Sequence, residues 1–272
     1  MGFIAKTIIG ILLILLAFRI GLRIPAGSFP EFSSPTFGNE PAMAALPDSL
    51  PKPAYNFYQT VYGDSIPFIN SAVMSGKARL RIGGITFPAR FRFIHKTGYG
   101  YRHQIEITFW GIHIMTVDEV YRKGEARLDL PFGTVENEPK VNQGANLALW
   151  AEALYYPTAY VTESKVQWRP IDDKTAALLV DFGKEKQQII LRFAPENGLV
   201  KMMEAMRYKG AEDPQKTLWI IDAENWEKVN GITIPGKTAI TWLDEGTPWA
   251  EFTMEEVKYN IPVTDELQLA EN

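Results

Sequence analysis

The stretch from Lys77 to Leu130, "KARLRIGGITFPARFRFIHKTGYGYRHQIEITFWGIHIMTVDEVYRKGEARLDL", decides the fold. Apolar and polar residues alternate through it, and the alternation is cut at Gly83-Gly84, at Gly98 to Gly100, at Gly111 and at Gly124. A period of two sends successive side chains to opposite faces of a pleated strand, and glycine tolerates the backbone of tight hairpin turns. The spacing therefore predicts consecutive antiparallel strands joined as a meander. Arg79, Arg81, Arg90 and Arg92 alternate with Ala, Leu, Ile and Phe, which assigns the arginines to a solvated outer face. A basic surface for anionic lipid headgroups is the other reading of the same pattern.

Downstream, "NQGANLALWAEALYYPTAYV" (142–161) reads as a helix over 142–156, ended by Pro157. Strand patterns then resume in "KVQWRPI", "TAALLVDF", "QQIILRF", "LVKMMEAMRY", "TLWIIDA", "GKTAITWL" and "PWAEFTMEEVKY". About twelve strands and two or three helices are expected, including a short amphipathic helix at Ala54–Gly63. The expected class is mainly β (α+β), with one large curved antiparallel sheet, an open half-barrel or partly closed barrel, whose concave face the 142–156 helix covers.

At the other end, "MGFIAKTIIGILLILLAFRIGLRIP" holds an apolar run flanked by Lys6, Arg19 and Arg23. From Phe3 to Ile24 it is long enough to span a bilayer if the flanking cations snorkel. No clear small-residue cleavage site follows, which favours an uncleaved single-pass anchor over a removed signal. The flanking positive charges are nearly balanced across the run, and the domain is expected on the extracytoplasmic side. The domain plan is an anchor over 1–24, a Pro/Ser/Gly-rich linker over 25–46 that lifts the domain off the membrane, the half-barrel domain over 47–263, and a tail over 264–272.

Composition excludes several chemistries. The chain has 28 Lys+Arg, 32 Asp+Glu and no cysteine. Disulfides, thiolate nucleophiles and cysteine metal sites are therefore absent. No basic tract resembles a nucleic-acid footprint, and the acidic second half would repel phosphate backbones. There is no nucleophile elbow, Walker loop or dinucleotide fingerprint, so no cofactor and no catalytic residue is assigned.

Three constellations remain. Glu152 is the one charged residue in the 142–161 stretch. A buried carboxylate must find partners, and the arginines of the first strands, Arg79, Arg81, Arg90, Arg92 and Arg102, are the candidates, with the Tyr156 hydroxyl as another. Such a pair docks the helix on the sheet, or it forms the polar anchor of a ligand cleft. Second, hairpins centred near Gly98–Gly100 and Gly111 would bring His95, His103 and Asp118 to one face, a weak metal candidate set against ordinary hydrogen-bonded hairpin residues. Third, Trp150, Trp168, Trp219, Trp226, Trp242 and Trp249, with Met202, Met203 and Met206, form core and rim packing or line an adaptable apolar cavity. Cleft candidates are Glu152, Trp150, Tyr156, Trp168 and Asp118.

The stretch "WAEALYYPTAYVTESKVQWRPIDDKTAALLVDF", with "GKARLRIGG" and "VDEVYRKGEARL" before it and "VNGITIPGKTAITW" after it, resembles a family of uncharacterised bacterial membrane-anchored proteins over about residues 46–260. That family's domain looks similar to the LolA/LolB lipoprotein-carrier fold, an open half-barrel with helices over its concave side. The resemblance places Glu152, Pro157, Trp168 and Asp118 at recurrent family positions. It implies a cell-envelope location and carries no established activity. The leading expectation is a tethered, non-enzymatic domain that binds a lipid or lipidated partner in the cleft. The alternatives are an interaction module filled by its own helix, and a metal-dependent enzyme using His95, His103 and Asp118.

Overall fold

In the computed structural model, described over residues 2–32 and 41–268, helix α1 (Gly2–Gly21) leads to strand β1 (Met43–Ala45), helix α2 (Lys52–Tyr62) and strand β2 (Ser65–Pro67), which pairs antiparallel with β1. β1 falls within the segment read as linker. The alternating stretch then becomes β3 (Ser71–Ile82), β4 (Ile85–Lys96), β5 (Gly100–Phe109), β6 (Ile112–Arg122), β7 (Glu125–Leu130) and β8 (Gly133–Glu136). Helix α3 (Pro139–Glu152), a 3-10 turn (Ala153–Tyr155) and helix α4 (Ala159–Thr162) follow. The chain then forms β9 (Val166–Asp172), β10 (Thr175–Phe182), β11 (Glu185–Phe193), β12 (Val200–Arg207), β13 (Thr217–Val229), β14 (Ile232–Trp242), β15 (Pro248–Tyr259) and α5 (Thr264–Gln268).

Thirteen strands make one antiparallel sheet in the order β8-β7-β6-β5-β4-β3-β15-β14-β13-β12-β11-β10-β9. Two meanders are joined where the last strand, β15, pairs with β3. The edge strands β8 and β9 are not paired with each other, so the sheet is open. Helix α3 contacts β6 and β7 in one half and β10, β11 and β12 in the other. One helix reaches both halves only because the sheet bends around it.

Polar residues of α3 fasten the two limbs. Asn146 accepts a 2.9 Å hydrogen bond from the Tyr121 hydroxyl of β6 and donates one of 2.9 Å to Gln187 of β11. Asn142 accepts from the backbone N–H of Ala126 in β7, and Gln143 donates to the carbonyl of Met206 in β12. All three side chains belong to buried residues. Asn146→Ala removes both cross-limb bonds and strands a buried hydroxyl and a buried amide. Its expected cost is about 2–6 kcal/mol, from about 1–3 kcal/mol for each of the two orphaned groups. Denaturant unfolding checks this, and a loss below about 0.5 kcal/mol would mean that α3 does not tie the limbs together.

The arginines occupy the opposite, convex face. Arg81 pairs with Glu245 at 2.7 Å, Arg90 with its cross-strand partner Glu106 at 2.6 Å, and Arg102 with Asp118 at 2.6 Å. Paired with carboxylates in this way, they form a mixed-charge surface rather than a basic one. The described part of the linker runs along this face instead of standing clear of it. Arg90 donates to the Ser28 carbonyl at 2.9 Å, Arg92 donates to the Pro30 carbonyl, and both guanidinium groups lie 4.8 Å from the Phe29 ring. Weakly hydrated, planar guanidinium groups stack well on an aromatic ring, which accounts for the docked path.

Candidate functional site

β4 and β5 pair with His95 opposite Tyr101 and Phe93 opposite His103. Residues 93, 95, 101 and 103 therefore share the concave face. Glu152, on the last turn of α3, reaches down to them. Its Oε2 lies 2.7 Å from His103 Nε2 and 2.8 Å from His95 Nε2. A carboxylate at a helix C-terminus is disfavoured by the helix dipole, so the two imidazoles supply the compensation that the helix does not.

Each remote ring nitrogen has its own partner. The Tyr156 hydroxyl lies 2.8 Å from His95 Nδ1. His103 Nδ1 lies 3.6 Å from Glu119 Oε2, and Glu119 accepts a 2.6 Å hydrogen bond from the Tyr101 hydroxyl. The Tyr101 and His103 rings stack at 3.9 Å. Arg207 lies 4.6 Å over the Trp219 ring and packs against Gly144 of α3. A Cβ on Gly144 would come within 2.6 Å of the guanidinium, so this glycine is what lets the cation approach the helix.

Burial and charge oppose each other here. Desolvation lowers the His103 pKa, but Glu152 and Glu119 together outweigh it and raise it to about 9. Desolvation likewise works to raise Glu152, yet His103 and His95 bring it down to about 2. At fully buried His95, desolvation prevails over Glu152 and its pKa is lowered. Glu119 is lowered, with its His103 and Tyr101 contacts overcoming its own desolvation. The resulting arrangement is an ionised Glu152 between a cationic His103 and a neutral His95.

Glu152 also lines a narrow cleft between the 3-10 turn and the sheet. The other walls include Phe91, Phe93, Leu154, Tyr155, Trp219 and Phe252. The cavity volume is about 30 Å³, so the 3-10 turn and the sheet leave little space between them here.

The sequence-derived candidates separate. Glu152 and Tyr156 meet at the histidine pair, with His95 and His103 rather than an arginine as the Glu152 partners. Trp150 is buried, and its carbonyl accepts a hydrogen bond from the Tyr160 hydroxyl. Trp168 donates to the Tyr160 carbonyl and packs edge-on to the Tyr58 and Tyr160 rings, away from the cleft. Asp118 belongs to neither cleft nor histidine pair. It sits on the convex face with Arg102, and Glu119 takes the place beside His103.

The reason is a bulge. Trp110 and Gly111 make a two-residue turn with φ of 55° and 72°, and from that turn alone His103 would face Asp118. An irregularity between Ile107 and Thr108 shifts the register by one residue and pairs His103 with Glu119. A one-residue shift reverses the face of every side chain on the strand. Glu119 and Tyr101 were the residues that sequence reasoning missed. The available signal was the shared parity of Tyr101 and His103 along β5.

With this geometry in view, comparisons with known proteins place the chain in a family. The family described as "Family of unknown function (DUF6544)" matches residues 40–252, and the chain belongs to it. No curated protein matches the sequence. Solved structures similar to it include a LolA superfamily protein from Nitrosomonas europaea, at 10% identity and a TM-score of 0.48, covering 78% of this chain and 93% of that one. A DUF1329 family protein from Desulfovibrio piger is similar at 12% identity and a TM-score of 0.44, over 78% of this chain and 92% of that one. A putative outer membrane lipoprotein-sorting protein domain from Vibrio parahaemolyticus is similar at 10% identity and a TM-score of 0.43, over 74% and 90%.

Proposed function

We propose that this DUF6544 member is a membrane-anchored, extracytoplasmic, non-enzymatic domain that takes an apolar ligand, a lipid acyl chain or a lipidated partner, between the 3-10 turn and the sheet. The observation that carries the reading is the lining of the cleft: a wall of aromatic and aliphatic side chains with Glu152 as its one charged member. A site of that composition binds by burial of apolar surface and orients its ligand through the few polar groups. Its present volume holds about two waters, far less than an acyl chain, so the ligand enters by displacing the 3-10 turn. Each CH₂ buried contributes about 0.8 kcal/mol toward that displacement.

Anchoring rests on α1. The helix is 20 residues long, or about 30 Å, the thickness of a bilayer's hydrocarbon core, and its apolar side chains from Phe3 to Ile20 are exposed. Its C-terminal end meets the β5–β6 turn: the Trp110 N–H donates to the Gly21 carbonyl at 3.1 Å, and the Phe18 and Phe109 rings lie 5.3 Å apart. The exposed Trp110, Ile112 and Ile114 at this tip, and Phe132 at the β7–β8 tip of the same sheet end, suit a bilayer interface.

The test uses the full chain, delipidated in detergent and titrated with a brominated fatty acid. Saturable quenching of tryptophan fluorescence is expected, reduced in Trp219→Phe and abolished in Ile240→Asp, which puts a charge in the cleft wall. No saturable quenching, together with no lipid released from the protein as first purified, would overturn the reading. That outcome would favour an interaction module whose interior is filled by α3, a reading supported by the small volume of the cleft.

A further inference from the structure

We propose that His95, His103 and Glu152 bind a divalent first-row transition metal, of the zinc or iron(II) class, at the polar end of the concave face. This goes beyond the apolar-ligand reading and stands without it. The three residues each offer a donor atom, and those atoms lie within 4.8 Å of one another. Both Nε2 atoms converge on one carboxylate oxygen, at 2.7 and 2.8 Å. A tetrahedral ion with ligand bonds of about 2.0–2.1 Å needs donors about 3.3 Å apart. Accommodating the ion takes side-chain rotations that open these two contacts by about half an ångström and set the two Nε2 atoms at the same spacing from each other.

Several features distinguish the cluster from an ordinary buried ion pair. His95 is fully buried, yet its Nε2 has no aligned hydrogen-bond partner despite its closeness to Glu152. A buried ring nitrogen 2.8 Å from a carboxylate oxygen but poorly aligned with it gains less than a full hydrogen bond, and a bound ion would satisfy it better. Both histidines also carry the outer partners that metal-bound imidazoles have. Tyr156 meets His95 Nδ1, and the Tyr101–Glu119 pair stands behind His103 Nδ1. A carboxylate or hydroxyl on the far nitrogen accepts the Nδ1 proton in a hydrogen bond, so the ion binds at Nε2 and displaces the proton that His103 carries there in the metal-free cluster. The ligands also sit on rigid elements: two come from adjacent paired strands and one from a helix packed across them.

The donor set selects the class of ion. Two imidazoles with a single carboxylate suit zinc, iron, cobalt, nickel or copper, whereas calcium and magnesium favour all-oxygen shells. Three protein ligands leave a coordination position for water or a ligand atom, and the Glu152 side chain, 19% exposed, borders the cleft through which either would arrive. His113, exposed near the β5–β6 turn and bonded to Thr116, takes no part and serves as a control.

The full chain in detergent is stripped with a chelator, reloaded with zinc or cobalt(II) and desalted. The expected result is one zinc per chain by elemental mass spectrometry, and visible absorption from low-symmetry cobalt(II). His95→Ala and His103→Ala, checked for folding by circular dichroism, are expected to lower zinc affinity about 100-fold or more. Tyr156→Phe and Glu119→Gln should lower it about 10- to 100-fold, and His113→Ala should leave it unchanged. Should the alanine variants fail to fold, X-ray absorption on the zinc-loaded wild type decides, with two imidazoles in the shell expected. Failure to retain metal, retention undiminished in folded His95→Ala and His103→Ala variants, or a zinc shell without imidazole would overturn the proposal. Failure of fatty-acid quenching would leave it standing.

Discussion

Gly76→Ala is expected to abolish folding or cost about 4 kcal/mol or more, the range reached only by severe core or backbone conflicts. A Cβ at Gly76 would lie 2.0 Å from the Thr253 carbonyl oxygen and 3.0 Å from both the Glu255 N and the Phe91 ring. The nearest atom is backbone, so relief requires moving a strand rather than a rotamer. Gly76 lies on β3 where its pairing with β15 shifts register between Met254 and Glu256, at the seam that joins the two meanders. A bulge in one strand with a glycine opposite is how two backbones come this close. Domains are stable by about 5–15 kcal/mol, so one methyl group here spends much of that margin. Gly210→Ala is the control, since a Cβ there meets nothing within 4 Å. Denaturant unfolding of both variants checks the prediction, and a Gly76→Ala protein within 1 kcal/mol of wild type would mean that the seam is built differently.

Phe57→Ala is expected to cost about 3–5 kcal/mol, the usual range for deleting a buried aromatic ring. Phe57 of α2 is fully buried. Its ring centre lies 5.9 Å from Phe193 of β11, 5.9 Å from Trp226 of β13 and 5.3 Å from Tyr58. It is the hydrophobic peg by which a short helix covers one end of the concave face. The surrounding rings cannot collapse freely into the space, because Trp226 is also held by a 3.1 Å hydrogen bond to the Val200 carbonyl. Phe57→Leu, which keeps most of the volume, should cost less than half as much. Unfolding free energies of the two variants provide the check, and equal losses would show that ring packing is not what α2 contributes.

Much of the architecture was legible from local pattern. Alternation across 77–130 and its glycine punctuation are properties of neighbouring residues, so strand identity and hairpin order followed directly. The α2 and α3 helices and the apolar N-terminal run were readable for the same reason. The outward face of Arg79, Arg81, Arg90 and Arg92 came from parity alone. Glu152 stood out as a lone charge in a mostly apolar helix, and His95 could be placed near His103 from a single hairpin turn.

What local pattern could not supply was anything that depended on register over distance or on how far apart two elements sit. The irregularity beside Thr108 has no sequence signature, yet it exchanges Asp118 for Glu119 and turns a supposed site residue to the outer surface. The partners of Glu152 depended on where α3 crosses the sheet, and that crossing is set by long-range bonds from Asn142, Gln143 and Asn146 to strands of both limbs. The sequence by itself determined an apolar N-terminal helix and an antiparallel, mainly β chain with the arginines of its first strands outward, because these are one-dimensional periodicities. Only the tertiary structure decided that the sheet stays open around α3, that the 3-10 turn leaves little space against the sheet, and that two histidines and a glutamate converge. Curvature, packing volume and cross-strand convergence arise from contacts between residues far apart in the chain.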